Sequence, residues 1–166
     1  MSVYNTDQSN FPYFNPTPSP KRDDPSDSNM NLFPKEMLQQ SVMSVMTPEA
    51  VMGKLIYLEA QAHYNHLNTT SFAEHKALDE LYSGIGGFKD TIMELILGYQ
   101  APQRLGKVEV PPVSVVKDSR DLAIEVGRFA KTVGEWSEEN GWCGLKNVCD
   151  ELEALGTKIK YLLTLV

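Results

Sequence analysis

The three histidines are the first residues of this chain whose types could do chemistry. They are His63, His66 and His75, and they lie on both sides of a turn that we predict around Thr69. Because His63 precedes Thr69 by six residues and His75 follows it by six, a helical hairpin would place both at one height on adjacent helices. Two imidazole rings could then face the same point, with His66 as a surface or accessory residue.

Two pairs of carboxylates follow on the second predicted helix. Asp79 lies one turn after His75, and Asp90 lies one turn before Glu94. Imidazole together with carboxylate is a ligand mixture that suits iron, manganese or zinc. The spacing therefore predicts a metal site formed by His63, His75, Asp79, Asp90 and Glu94, for iron, manganese or zinc.

One chain could not bring all five side chains to a single ion. Fifteen residues separate His75 from Asp90, and at about 1.5 Å per residue this is roughly 22 Å along a helix. If the same helix of a second copy packed antiparallel, the His75 end of one copy would lie beside the Asp90 and Glu94 end of the other. The sequence thus predicts a site between two copies, in a two-fold dimer or a higher oligomer.

Some of these residue types also have a purely structural interpretation. His75 is in phase with the apolar stripe of its helix, where a lone histidine would be a core residue; the spaced set favours a metal site. Trp136 and Trp142 are interpreted as core or turn packing. Cys143 and Cys149 have no histidine near them in the sequence and are interpreted as packed thiols.

Two helices must position the histidines. Thr47 is a capping residue followed by a proline at the first helical position, which predicts a helix over about 48–67. The run from Ser71 to Glu74 has the capping-box pattern and opens a second helix that ends near Gly98. Apolar residues three or four apart support both helices.

Two more helices follow after a long connection. The stretch from 99 to 113 contains three prolines and can run the height of a bundle. A third apolar stripe extends from Val115 to Trp136 and stops at Asn140–Gly141, and a fourth extends from Leu145 to Val166. The pattern predicts an all-α, ferritin-like four-helix bundle over 47–166, with a long crossover between the second and third helices.

The first 46 residues have a different composition. Seven of the ten prolines lie within residues 1–48, mixed with serine, asparagine and aspartate, so this arm is predicted to be extended or disordered. Its aromatic residues, Phe11, Tyr13, Phe14 and Phe33, could insert into pockets of an assembly partner. The alternative is a disordered tail with incidental aromatics.

The run from His63 to Tyr82, followed by Asp90-Thr-Ile-Met-Glu94, resembles the Dps mini-ferritins. In that family the two histidines, the following Asp and the Asp-x-x-x-Glu motif have these spacings and form a ferroxidase centre. The resemblance implies that one subunit supplies His63, His75 and Asp79, and that its two-fold mate supplies Asp90 and Glu94. It further implies a hollow oligomer, up to a dodecamer, that oxidises Fe(II) with hydrogen peroxide and stores iron.

A glycine-rich stretch in the second helix bears on this site. Gly84, Gly86 and Gly87 each cost about 1 kcal/mol of helix stability relative to alanine. A kink at these residues would move Asp90 and Glu94 away from the register that the metal site requires.

Charge and hydropathy limit the partners. The formal net charge of −7 argues against binding to nucleic acid, which requires a concentrated basic surface. No apolar run is long enough for a membrane span, and the N-terminus has no secretory signal pattern, so no membrane partner is expected. The expected location is the cytoplasm, or the inside of a larger assembly such as a viral particle.

These observations leave three hypotheses. The first is an iron-binding, ferroxidase-type oxidoreductase. The second is a structural or interaction protein whose bundle is docked by residues 1–46 onto a larger assembly, such as a virion or protein shell. The third is a mononuclear manganese or zinc protein.

Overall fold

The computed structural model describes residues 46–100, 104–113 and 115–165. Within them the chain forms four α-helices: α1 (Pro48–Asn68), α2 (Phe72–Tyr99), α3 (Ser119–Glu139) and α4 (Cys143–Leu162). The predicted arm, apart from its last residue, lies outside the described residues. None of the four helices is both long and apolar enough to cross a membrane.

The first two helices begin where the capping patterns predict. The Thr47 hydroxyl accepts a hydrogen bond from the Ala50 N–H, and the Ser71 hydroxyl accepts one from the Glu74 N–H. In a complete capping box the Glu74 carboxylate would also accept a hydrogen bond from the Ser71 N–H, which it does not do here. It accepts a hydrogen bond from the Thr69 hydroxyl instead, so side chains tie the α1–α2 turn to the first turn of α2.

The glycine-rich stretch does not break α2, which is helical from end to end. A Cβ atom at Gly84 would overlap the Leu155 side chain of α4, and one at Gly86 would lie 3.0 Å from a carboxylate oxygen of Glu59 on α1. These two glycines let neighbouring helices pack closely. Tertiary packing therefore compensates for their low helix propensity.

The connection between α2 and α3 runs along α1, as the crossover prediction requires. At one end, Glu49 in the first turn of α1 accepts a hydrogen bond from the Gly106 N–H at 2.8 Å. At the other end, Asn65 in the last turns of α1 donates from Nδ2 to the Lys117 carbonyl oxygen at 2.8 Å. The third helix consequently starts beside the C-terminal end of α1.

The third helix starts later than its predicted apolar stripe. Val115 lies in the connection and is exposed, because Asp118 caps α3 by accepting a hydrogen bond from the Asp121 N–H. The predicted end of the fourth stripe, Val166, lies outside the described residues.

The four helices pack as a bundle around one apolar core. The first packs on the second, the third on the fourth, and the second on the fourth. The third and fourth helices approach closely at Gly156, where a Cβ atom would lie 2.9 Å from both the Ala123 carbonyl oxygen and the Gly127 nitrogen. The largest fully buried apolar side chains are Leu55, Leu58, Leu78, Leu81, Ile85, Ile92, Ile96, Leu122, Leu145, Leu152 and Ile159.

Candidate metal-binding site

The rings of His66 and His75 lie face to face where α1 turns into α2. Their centroids are 3.8 Å apart and their planes are inclined by 28°. The Nδ1 atom of His66 lies 3.1 Å from the His75 carbonyl oxygen, and the Nδ1 atom of His75 lies 3.3 Å from the His66 carbonyl oxygen. Because a carbonyl oxygen only accepts, each Nδ1 carries a hydrogen, and Nε2 of a neutral ring keeps its lone pair.

Of the two alternatives predicted for His66, a surface or an accessory residue, the first is wrong. His66 is only 9% exposed, because His75 covers one side of its ring and the edge of Tyr82 contacts it at a centroid distance of 5.2 Å. The sequence holds a signal for this burial: His66 follows the buried Leu58 and Ala62 at intervals of four residues, in phase with the core face of α1.

His63 is exposed and lies one turn earlier on α1. Its ring stacks on that of Tyr82 at 4.6 Å and lies 6.0 Å from that of His66. The four rings of His63, His66, His75 and Tyr82, here called the ring cluster, therefore form one continuous group. In it His66, and not His63, is the direct neighbour of His75. Tyr82 is not among the predicted site residues, although it lies two helical turns after His75 and so on the same face of α2.

Asp79 is a half-buried carboxylate on the turn of α2 after His75. Lys76 donates a hydrogen bond to it at 3.0 Å. Lys76, and then the Tyr82 hydroxyl, hold the pKa of Asp79 below its usual range. Asp79 is therefore ionised at neutral pH and supplies a negative charge beside the histidines.

Asp90 and Glu94 lie on the same helix but far from the ring cluster. Both are exposed, and α2 is unbroken between them and His75, which places Asp90 about 22 Å along the helix from His75 at about 1.5 Å per residue. In the described part of the chain, no three His, Cys, Asp or Glu side chains lie close enough to hold a metal ion. A complete ligand set would thus need a second copy.

A separate ionic cluster lies between α1 and α3. The Glu125 carboxylate accepts hydrogen bonds from Lys54 and Lys117, and both ammonium groups lie about 5 Å from the centroid of the Tyr57 ring. Burial raises the pKa of Glu125, but the two lysines outweigh burial and bring its pKa below the ordinary value. Because both lysines are paired with Glu125 and lie over the Tyr57 ring, we interpret this cluster as structural.

Comparison with known proteins identifies a family. A family model described as a family of unknown function (DUF5856) matches residues 66–163. The chain belongs to this family. The segment that matches DUF5856 includes His66, His75, Asp79 and Glu94 but not His63. No curated protein and no solved structure matches the chain.

The identification as a Dps mini-ferritin is wrong. The family found is DUF5856, and no Dps or other ferritin-like relative was found. The resemblance rested on five polar residues in two adjacent helices, and helical periodicity by itself favours spacings of three and four residues between side chains on one face. A set of residues at such spacings indicates a helical hairpin and does not by itself show common ancestry.

Proposed function

We propose that this DUF5856 chain binds Fe(II) beside its ring cluster, in a site completed by a second copy, and oxidises it. His63, His75 and Asp79 of one copy would be ligands, together with Asp90 and Glu94 of the other. The observation that carries the proposal is the hydrogen bond from Nδ1 of His75 to the His66 carbonyl oxygen. A metal-binding histidine usually donates its other ring N–H in this way, which fixes the ring and leaves Nε2 for the metal.

The charges of these ligands suit a change of iron from the ferrous to the ferric state. The imidazoles of His63 and His75 bind as neutral ligands, whereas three carboxylates offset the positive charge of the metal. The lowered pKa of Asp79 keeps that carboxylate ionised without a metal. This carboxylate forms an exposed ion pair with Lys76. Because surface ion pairs contribute little free energy, a metal ion can replace Lys76 as the partner of Asp79.

Hydrogen peroxide is the proposed oxidant. One peroxide molecule takes one electron from each of two ferrous ions, its O–O bond breaks, and two protons complete two water molecules. The iron is the substrate of this reaction, and the chain contributes by holding it at fixed nitrogen and oxygen atoms.

We also infer that the connectivity is ferritin-like. Short turns join α1 to α2 and α3 to α4, and the single long crossover follows α1. Ferritin-like bundles have one such crossover. The inference concerns only the order in which the helices are connected.

Anaerobic addition of Fe(II) followed by peroxide tests the function, with near-ultraviolet ferric absorbance as the readout. Wild type is expected to oxidise the iron quickly, and His75→Ala and Asp79→Asn to lose this fast phase. Glu80→Gln is the matched control, because Glu80 is the next residue on α2 and pairs with Lys158. Circular dichroism verifies that each variant is folded. Equal oxidation by wild type and His75→Ala would contradict the assignment.

An interaction module is the second candidate function. The observation that favours it is the exposure of two large apolar side chains beside the α1–α2 turn, Leu67 at 68% and Phe72 at 79%. If residues 1–46 dock the bundle onto a larger assembly, deleting them should abolish incorporation of the chain into that assembly and leave the bundle folded. Unchanged incorporation would rule out this role for the arm.

A further inference from the structure

One face of α2 is exposed along the whole helix. Seven exposed residues share this face: Phe72, Lys76, Ser83, Gly87, Asp90, Glu94 and Gly98. Six of them, all except Asp90, follow one another at alternating intervals of four and seven residues and are here called the α2 stripe. The spacing is symmetric about residue 85. An antiparallel copy of the helix would therefore place each member of the stripe opposite another member.

We propose that the α2 stripe is the surface through which two copies of this chain pair, antiparallel about a two-fold axis near residue 85. Ser83 then lies opposite the partner's Gly87, and Lys76 lies opposite the partner's Glu94. This inference rests on the proposed function, which requires a second copy. The inference adds which surface the two copies use and in which register their α2 helices pair.

The charges of the stripe are complementary to themselves. Glu94, and Asp90 one turn before it, are exposed and have no ion-pair partner among the described residues. The last turn of α2 has no basic residue to balance them. In the proposed register the partner's Lys76 lies opposite Glu94 and supplies a positive charge there, and the two-fold axis repeats the pair. Asp90 lies opposite the partner's Glu80.

The sizes of the stripe residues are complementary as well. A Cβ atom at Gly87 or Gly98 would meet nothing within 4 Å in its own chain, and neither glycine has a positive φ angle. The chain itself thus gives no reason for glycine at either position, although glycine weakens a helix. Opposite a second α2, Gly98 makes room for the partner's exposed Phe72, and Gly87 with Ser83 allows the two backbones to approach to about 8 Å between axes.

The same register assembles the proposed iron ligands. His75 lies opposite the partner's Leu95, and Asp79 lies opposite the partner's Thr91. Asp90 and Glu94 of the partner subunit are each adjacent to these positions. Like-charged carboxylates from two copies then face each other, and a cation between them removes the repulsion.

The first test is sedimentation in buffer that contains a chelator, so that pairing is measured without iron. Wild type is expected to dimerise, and Gly87→Leu to weaken dimerisation at least about tenfold because the larger side chain holds the helices apart. A Cβ atom at position 87 meets nothing within 4 Å in its own chain, and circular dichroism verifies that Gly87→Leu is folded. Thr132→Leu adds the same side chain on the exposed face of α3 and is expected to dimerise like wild type. A monomeric wild type, or a Gly87→Leu dimer of wild-type affinity, would overturn the proposal.

Charge reversal tests the register. Lys76→Glu alone and Glu94→Lys alone are each expected to weaken the dimer about tenfold, because each places like charges opposite each other twice. The double variant restores opposite charges and is expected to recover most of the affinity. No recovery would show that the register is wrong. Failure of iron oxidation in a dimeric wild type would contradict the proposed function alone. Oxidation by a chain that does not pair through α2 would contradict this inference and the ligands assigned to the second copy, but not iron oxidation itself.

Discussion

His66 and His75 hydrogen-bond to each other's main-chain carbonyl oxygens, with Nδ1–O distances of 3.1 and 3.3 Å. These bonds and the stacked rings fasten the end of α1 to the start of α2. Because both bonds use Nδ1, they hold the rings in place without occupying Nε2. The hairpin thus keeps a histidine nitrogen available in a fixed position, which is an arrangement suited to metal binding.

Replacement of His66 tests how much these contacts between α1 and α2 stabilise the bundle. His66→Phe keeps a ring but leaves the His75 carbonyl oxygen without its donor, so we expect a loss of about 1–2 kcal/mol in the free energy of unfolding. His66→Ala also removes the packed ring and is expected to cost about 2–4 kcal/mol. Urea unfolding followed by circular dichroism measures both. The exposed His63→Ala is the control and should change stability by less than about 0.5 kcal/mol.

Two helical glycines should respond in opposite directions to alanine. At Gly156 the added Cβ would lie 2.9 Å from backbone atoms of Ala123 and Gly127, which cannot move cheaply, so we expect a loss of about 1–3 kcal/mol. At Gly87 the Cβ meets nothing within 4 Å in its own chain, so in the monomer, at a protein concentration too low for pairing, the better helix propensity of alanine should stabilise the helix by about 1 kcal/mol. Thermal unfolding compares the two. A Gly156→Ala variant as stable as wild type would show that α3 and α4 are farther apart.

The helices could be predicted because their signals are local. The side chain at Thr47 and the hydroxyl at Ser71 cap helices where the sequence places them, and the prolines after Tyr99 mark the crossover. The arrangement of the histidines was harder to predict. Counting residues from Thr69 gives the height of a side chain on its helix but not the direction in which it points, which depends on how each helix is rotated against its neighbours.

The burial of His66 shows this difference. The count from Thr69 paired His63 with His75, whereas the ring stacked on His75 is that of His66. The His66 side chain is buried in the α1–α2 contact, and His63 is exposed. Capping residues also decide where a helix begins within an apolar stripe. Val115 fits the apolar period of α3, but the helix begins only after Asp118, which caps its N-terminus. Apolar periodicity alone predicts neither the direction of the His66 ring nor the first residue of α3.

Thiol labelling tests the packing of α4. Cys143 is exposed, whereas Cys149 is buried, and burial raises the pKa of the Cys149 thiol to about 12. Since the thiolate is the reactive form, we expect a neutral-pH alkylating reagent to modify Cys143 quickly and Cys149 only when the chain unfolds. Mass spectrometry counts the labels. The folded Cys143→Ser variant should take up none on the same time scale, and rapid labelling of that variant would show that Cys149 is accessible.

The Glu125 cluster predicts how stability changes with pH. The folded-state pKa of Glu125 lies below its ordinary value of 4.5 because two lysines outweigh the effect of burial. A lowered folded-state pKa stabilises the protein above the unfolded-state pKa, and this contribution is lost as pH falls through the folded-state value. We therefore expect Glu125→Gln to lower the free energy of unfolding by about 1 kcal/mol at pH 7. The difference from wild type should shrink below about pH 4. Urea unfolding across this range measures it, with Glu135→Gln on the exposed face of α3 as the control. A difference that does not change with pH would show that the carboxylate is not held by Lys54 and Lys117.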